Sequence, residues 1–239
     1  MQWEDFAPGA GRRILKRHRG RICRLNEDMQ GTGAIAPAAS ISAVRVCGTP
    51  LHNHRVVIFR AGTTGVGVAD PLRDAMVREG LSKEDAVKRF WCVDRQGLLT
   101  TDIGDRRPAI LVGASASGGS FTGTMIREMA AHTERPISFV LSGPRARAEA
   151  NPADLISWTD GRRALIATGS PFGPVTHKGV TYVVGQLNNA MLSLGLCLGA
   201  IVSRAAAVAE GLARVKFNDI VQQVQDAIWQ PESRRIQAS

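Results

Sequence analysis

Five short apolar runs, at residues 56–59, 90–93, 110–113, 137–141 and 165–168, recur along this chain with amphipathic segments between or after them. Each run is too short for a helix and is made of residues that suit a strand buried on both faces. The stretches 67–78, 83–88, 122–131, 152–158 and 189–205 instead carry a helix-like pattern. Parallel strands cannot be joined by a tight turn, and a helix is the usual crossover. The alternation therefore predicts an α/β fold: a doubly wound, Rossmann-like parallel sheet with helices on both faces.

Local signals agree. Asn151-Pro152-Ala153-Asp154 reads as an N-cap, a proline at the first helical position and an acid in the first turn. Phe217, Ile220, Val221, Val224 and Ile228 fall at helical spacing and predict an amphipathic helix over 216–229 that covers the core. With 239 residues, 44% hydrophobic and 21% charged, the chain suits one soluble domain with a real core. Its apolar stretches are broken well before the ~18 residues of a membrane span, and its start lacks a signal-peptide layout. A cytoplasmic protein with no membrane partner is expected. Cys23, Cys47, Cys92 and Cys197 stand far apart with no C-x-x-C pair, and read as small buried hydrophobes in a reducing compartment. The net charge of +9 and the run "RRILKRHRGR" at 12–21 raise nucleic acid as a partner. Ile14 and Leu15 interrupt that run and aromatics make up only 5% of the chain, so a solvated helix face is the better reading.

The chemistry gathers in "FRAGTTGVG", residues 59–67, which follows one apolar run and leads into a helix-like segment. In a dinucleotide-binding turn, glycines permit the sharp bend, admit the pyrophosphate to backbone N–H groups and pack helix on strand. Gly62, Gly65 and Gly67 fit that pattern, while Arg60 holds the first glycine position. Asp94 closes the next run, "RFWCVD", where a ribose-binding carboxylate belongs, somewhat beyond the usual spacing of about 20 residues. A glycine-rich turn without a ligand fits these residues too. A second small-residue loop in "ILVGASASGGSF", 110–121, would add further backbone donors at the carboxyl ends of the strands and favours a dinucleotide crevice.

The motifs "QWEDFA", "NEDMQGT", "GLSKEDA" with "VDRQGLL", "TERPISFVLSGP", "ATGSPFGPV" and "GQLNNA" occur in the order seen in malic enzymes, the NAD(P)-dependent decarboxylating malate dehydrogenases. The chain resembles that family from Gln2 to about Ala206. The resemblance implies oxidation of (S)-malate with NAD and metal-assisted decarboxylation to pyruvate and carbon dioxide. It places the metal ligands on Glu4, Asp5 and Asp28, a carboxylate set that suits Mg²⁺ or Mn²⁺. It places the pyrophosphate loop on Gly62, Thr63, Thr64, Gly65 and Gly67, the adenosine ribose on Asp94, and the second cofactor loop on 115–119, beginning with Ser115. Asn189 resembles the amide that holds the substrate carboxylate, with Asn188 beside it on the cofactor side; asparagines beside an apolar run also cap helices. Residues 1–50 are then the metal-motif segment with its linking helices, and 51–239 the NAD-binding domain of a homo-oligomer.

The departures from the family are specific. Glu27 stands where an aspartate supports the catalytic lysine and is one methylene longer. Gly143 replaces a substrate-contacting asparagine. The family's catalytic tyrosine and lysine fall outside the matching motifs, and Tyr182 lies in the wrong place to substitute. Arg60 allows two outcomes: a guanidinium near the pyrophosphate offsets lost backbone contact, or a position that needs positive φ distorts the loop. Taken with Glu27 and Gly143, a damaged loop is the expectation. The chain alone is expected to be impaired as an enzyme, the alternative being a non-catalytic NAD-binding remnant or a subunit-interaction protein.

Overall fold

The computed structural model describes residues 2–3, 10–18, 21, 25–60, 62–94, 97–98, 108–160 and 164–189. Glu4, Asp5, Cys23, Cys197, the helix expected over 216–229 and all but the first residue of that over 189–205 lie outside them. A two-residue strand β1 (Gln2–Trp3) pairs in parallel with β2 (Leu25–Asn26), with helix α1 (Ala10–Arg17) between them. A π-helical turn, Glu27–Gly31, runs directly into α2 (Thr32–Cys47). The main sheet then begins with β3 (Val56–Phe59), followed by α3 (Thr63–Arg78), α4 (Lys83–Val87), β4 (Phe90–Asp94) and a short β5 (Gly97–Leu98). The second half runs β6 (Ile110–Gly113), α5 (Gly123–His132), β7 (Ile137–Val140), α6 (Pro152–Trp158) and β8 (Leu165–Thr168). A hairpin of β9 (Val175–His177) and β10 (Val180–Tyr182) precedes the edge strand β11 (Gly185–Gln186).

The sheet order is β11-β8-β7-β6-β3-β4-β5, parallel throughout except at the antiparallel edge pair β4-β5. Strand alternation divides the buried side chains between two layers. Val56, Ile58, Ile110, Val112, Ile137 and Phe139 face α2 and α3, where Ile35, Ala39, Val68, Leu72 and Met76 complete one core. Leu111, Val140 and Ile166 face the other way, onto Ile126 and Met129 of α5 and Leu155 and Ile156 of α6. Each such side chain contributes about 1.5–3 kcal/mol by leaving water. The doubly wound α/β expectation holds.

Local chemistry explains the helix ends. Asn151 accepts from the Ala153 N–H at 3.0 Å ahead of Pro152, as its sequence announced. Ser82 and Thr122 cap α4 and α5 in the same manner. Among the described cysteines, Cys47 and Cys92 are half-buried beside the first core rather than sealed within it, and burial raises both thiol pKa values. Arg13, Lys16 and Arg17 of α1 are solvent-exposed or nearly so, in keeping with a solvated basic face. No helix among the described residues is long and apolar enough to cross a membrane.

Candidate functional site

The chain leaves β3 toward β4 on one side and later fills β6, β7 and β8 on the other, so the topological switch point lies between β3 and β6. Loops diverging there open a crevice at the carboxyl ends of the strands, where open α/β sheets bind ligands. The first loop, 60–62, enters α3 with Gly62 as N-cap in extended conformation. Gly62 caps without a side chain, and a Cβ built on it would meet nothing within 4 Å. The first turn of α3 also lacks an acid. Gly65 serves another purpose. A Cβ there would fall 2.5 Å from the Arg60 carbonyl oxygen and 3.1 Å from Ile58, so only glycine lets the helix sit this close to its strand.

Arg60 keeps the turn closed. Its N–H donates to the Val93 carbonyl at 2.6 Å, one residue before Asp94 ends β4. Its φ is 68°, a left-handed value that costs a side chain of this size of order 1 kcal/mol. The strain expected of a substituted glycine is therefore present, yet the strand-turn-helix path persists. The Arg60 guanidinium spans the crevice and donates from Nη1 to the Ser115 carbonyl at 3.1 Å.

The second loop is held from below by Glu149, a fully buried residue whose importance the sequence did not reveal. Its carboxylate accepts from the Ser115 N–H and Oγ, each at 2.7 Å, and from the Ser142 Oγ at 2.5 Å and N–H at 3.4 Å. The loop's amides are then largely engaged inside the protein. Ala116 N–H donates to Ser142 Oγ, Ser117 N–H to Ser115 Oγ and Gly119 N–H to the Ala148 carbonyl. The loop was expected to offer backbone donors to a ligand. What Ser115 turns toward the first loop is its carbonyl oxygen, because Glu149 takes its N–H and hydroxyl. In the sequence Glu149 stands only as a lone acid between Ala148 and Ala150, with nothing local to mark its partners.

The segment carrying Glu27 and Asp28 lies against the N-terminal turns of α3. A Cβ on Gly67 would sit 2.9 Å from the Met29 Cα, and one on Gly33 would collide with the Gly67 carbonyl, so the π-turn and α2 touch α3 backbone to backbone. Asn26 anchors the π-turn, accepting from Met29 N–H at 2.8 Å while its own N–H donates to Gln30 Oε1 at 2.8 Å. Glu27 is buried, and its carbonyl accepts from Asn189 Nδ2 at 3.4 Å; the same amide reaches Thr32 Oγ1 at 3.3 Å. The structure thus brings Asn189 to Glu27 and the π-turn to Gly67 of α3, with Asn188 next to Asn189 in the chain. Thr64 is half-buried in the first turn of α3 beside Thr63. Gly143 follows Ser142 at the end of β7, and a Cβ there would meet only Ser170 Oγ, at 3.1 Å. Among the described residues no group of three or more His, Cys, Asp or Glu side chains is placed to hold a metal ion; Glu4 and Asp5 lie beyond them. At the opposite, amino-terminal ends of the strands, a hollow of about 580 Å³ is lined by residues that include Cys47, His54, Arg55, His132, Glu134 and Arg135.

Comparison with known proteins points the same way. The family model described as malic enzyme, NAD binding domain, matches residues 29–106 and 103–233. The chain is 44% identical over 247 residues to NAD-dependent malic enzyme 3 of Bacillus subtilis, covering 89% of this chain and 44% of that protein. It is 38% identical over 235 residues to the malolactic enzyme of Lactiplantibacillus plantarum, covering 86% of this chain and 43% of that one. The chain therefore spans under half the length of these curated relatives. Among solved structures, the NAD-dependent malic enzyme of Thermotoga maritima superposes with a TM-score of 0.72 at 22% identity, over 100% of this chain and 62% of that one. The Entamoeba histolytica malic enzyme gives 0.75 at 20% identity, over 97% and 49%. At such identities the structures speak for the fold.

Proposed function

This chain belongs to the malic enzyme family through its NAD-binding domain, and from that premise we propose that it binds NAD across the β3–β6 switch point as the dinucleotide-binding part of a malate oxidoreductase. The observation that carries the reading is the open first turn of α3: Gly62 caps it without a side chain and leaves clear space beside the backbone. Uncapped N–H groups and the positive end of the helix dipole suit a pyrophosphate, with Gly62, Thr63, Thr64 and Gly65 around it and Gly67 fixing the helix. Asp94 takes the adenosine ribose, Ser115 and Asn188 flank the nicotinamide side, and Asn189 holds the malate carboxylate.

In the same proposal Glu4, Asp5 and Asp28 bind Mg²⁺ or Mn²⁺ in a cytoplasmic enzyme that converts (S)-malate to pyruvate and carbon dioxide. When bound, such an ion supplies Lewis-acid polarisation of the substrate oxygens. The chain's own part is to position. Asn189 donates its amide N–H groups to the Glu27 carbonyl and Thr32 Oγ1, two long bonds, and one of them turns to the malate carboxylate when substrate binds, which ties the substrate end to the segment that carries Asp28. Gly65 and Gly67 set how closely α3 approaches β3 and the π-turn, and with it where the pyrophosphate stands.

Calorimetric titration with NAD and NADP tests the binding site. NAD binds more tightly, because Asp94 accepts from a ribose hydroxyl and repels a 2′-phosphate. Tighter NADP binding removes the role given to Asp94, and no binding of either removes the dinucleotide reading.

A further inference from the structure

The residue that a glycine-loop account leaves unexplained is Arg60. It stands at the end of β3 in a left-handed conformation with φ 68°, where glycine would sit without strain. It is also a cation two residues ahead of the N-cap of α3, near the positive end of a helix dipole, which without an anion is an unfavourable place for it. The residue is half-buried, and its guanidinium crosses the switch point to the Ser115 carbonyl at 3.1 Å. That bond uses one of five N–H donors, and among the described residues no carboxylate pairs with it. On the opposite side of the crevice the amides of Ser115, Ala116, Ser117 and Gly119 are already taken up by Glu149, Ser142, Ser115 Oγ and Ala148. The cation facing the gap between the two loops is therefore a side chain anchored on one loop and rooted in the other.

We propose that Arg60 is a ligand for the diphosphate of the bound dinucleotide, its guanidinium taking over contacts that a glycine at this position would leave to the backbone. The proposal rests on the dinucleotide reading above. A guanidinium fork matches two phosphate oxygens at once, whereas an ammonium acts as a point charge. An anion between Arg60 and the first turn of α3 offsets the repulsion between those two positive groups. Binding then depends on a side-chain charge, is weakened by salt more than a glycine loop would be, and belongs to the diphosphate rather than to the adenosine or nicotinamide ends.

The test is calorimetry on the full chain and its Arg60→Gly, Arg60→Gln and Arg60→Lys variants, with NAD, ADP-ribose, adenosine and inorganic pyrophosphate at two salt concentrations. The expected result is about tenfold weaker binding of NAD, ADP-ribose and pyrophosphate by Arg60→Gly and Arg60→Gln. Arg60→Lys falls between these and the parent protein, adenosine binding stays unchanged, and the salt dependence is reduced in the uncharged variants. Equal or tighter NAD binding by Arg60→Gly overturns the proposal, identifies Arg60 as an obstruction and leaves the dinucleotide reading standing. Pyrophosphate binding that needs Arg60 in a protein that ignores NAD upholds the proposal's chemistry while removing that reading. A parent protein that binds none of the phosphate ligands overturns both.

Discussion

Glu149 shows how one side chain organises a site from outside it. Its buried carboxylate satisfies both hydrogen-bonding groups of Ser115 and of Ser142, and so locks together the loops that follow β6 and β7. Glu149→Gln keeps the volume but turns an N–H₂ group toward donors that need an acceptor. The expected loss is about 1–3 kcal/mol of stability, read as a lower urea midpoint. An unchanged midpoint would show that the network is dispensable. His54 sets a second expectation. It is buried with Nε2 2.7 Å from Thr49 Oγ1, and burial lowers its pKa below the usual 6.5 against the opposing pull of Thr49 and Glu79. Folding therefore favours the neutral ring. As pH falls through about 6.5 the unfolded chain takes a proton that the folded one resists, and stability drops. Urea titrations at pH 7.5 and 5.5 should show a smaller pH effect in His54→Gln than in the parent protein. The glycines of the first loop were legible because their spacing has a local cause. Glu149 was not, because its partners come from separate loops and meet only in the folded sheet.

At the scale of elements, the contact that matters most for the site is that of α2 and its π-turn on α3. Gly33 and Gly67 let the two backbones meet, and this contact holds the Glu27–Asp28 segment beside the N-terminal turns of α3. Gly33→Ala forces a methyl against the Gly67 carbonyl and should cost about 1–3 kcal/mol in urea unfolding; no change would mean that the helices separate freely. The five strands of the core were readable as short apolar runs because a strand covered on both faces has no polar alternation to confuse the pattern. Helix α2, "TGAIAPAASISAVRVC", escaped that reading. Ten of its sixteen residues are buried, several of them small, so no amphipathic stripe marks it. The sequence pattern starts α3 at 67 and the helix starts at Thr63, since Gly65 and Gly67 look like loop residues until their packing is known. The β9–β10 hairpin and the edge strands β5 and β11 are two or three residues long and carry too few positions for a period to appear.

For the whole molecule, the sheet order sends two loops in opposite directions at one point and leaves the far ends of the strands with different surroundings. A crevice opens at that point, and the curated relatives compared above are more than twice the chain's length. Assayed alone with malate, NAD and Mn²⁺, the 239-residue chain should form no NADH above background, because the resemblance places the family's catalytic tyrosine and lysine outside the motifs this chain shares, and an acid and a base are each worth about 10²–10⁴-fold. Turnover that disappears in Asp28→Ala would contradict this. The most direct test of the account is where NAD binds. In a ¹⁵N-labelled sample titrated with NAD, the amides of Thr63, Thr64 and Gly65 at the start of α3 should shift most, with Arg60 and Ser115 following. Shifts confined to His54, Arg55, His132 and Arg135 at the amino-terminal ends of the strands would place the ligand on the wrong side of the sheet and contradict it.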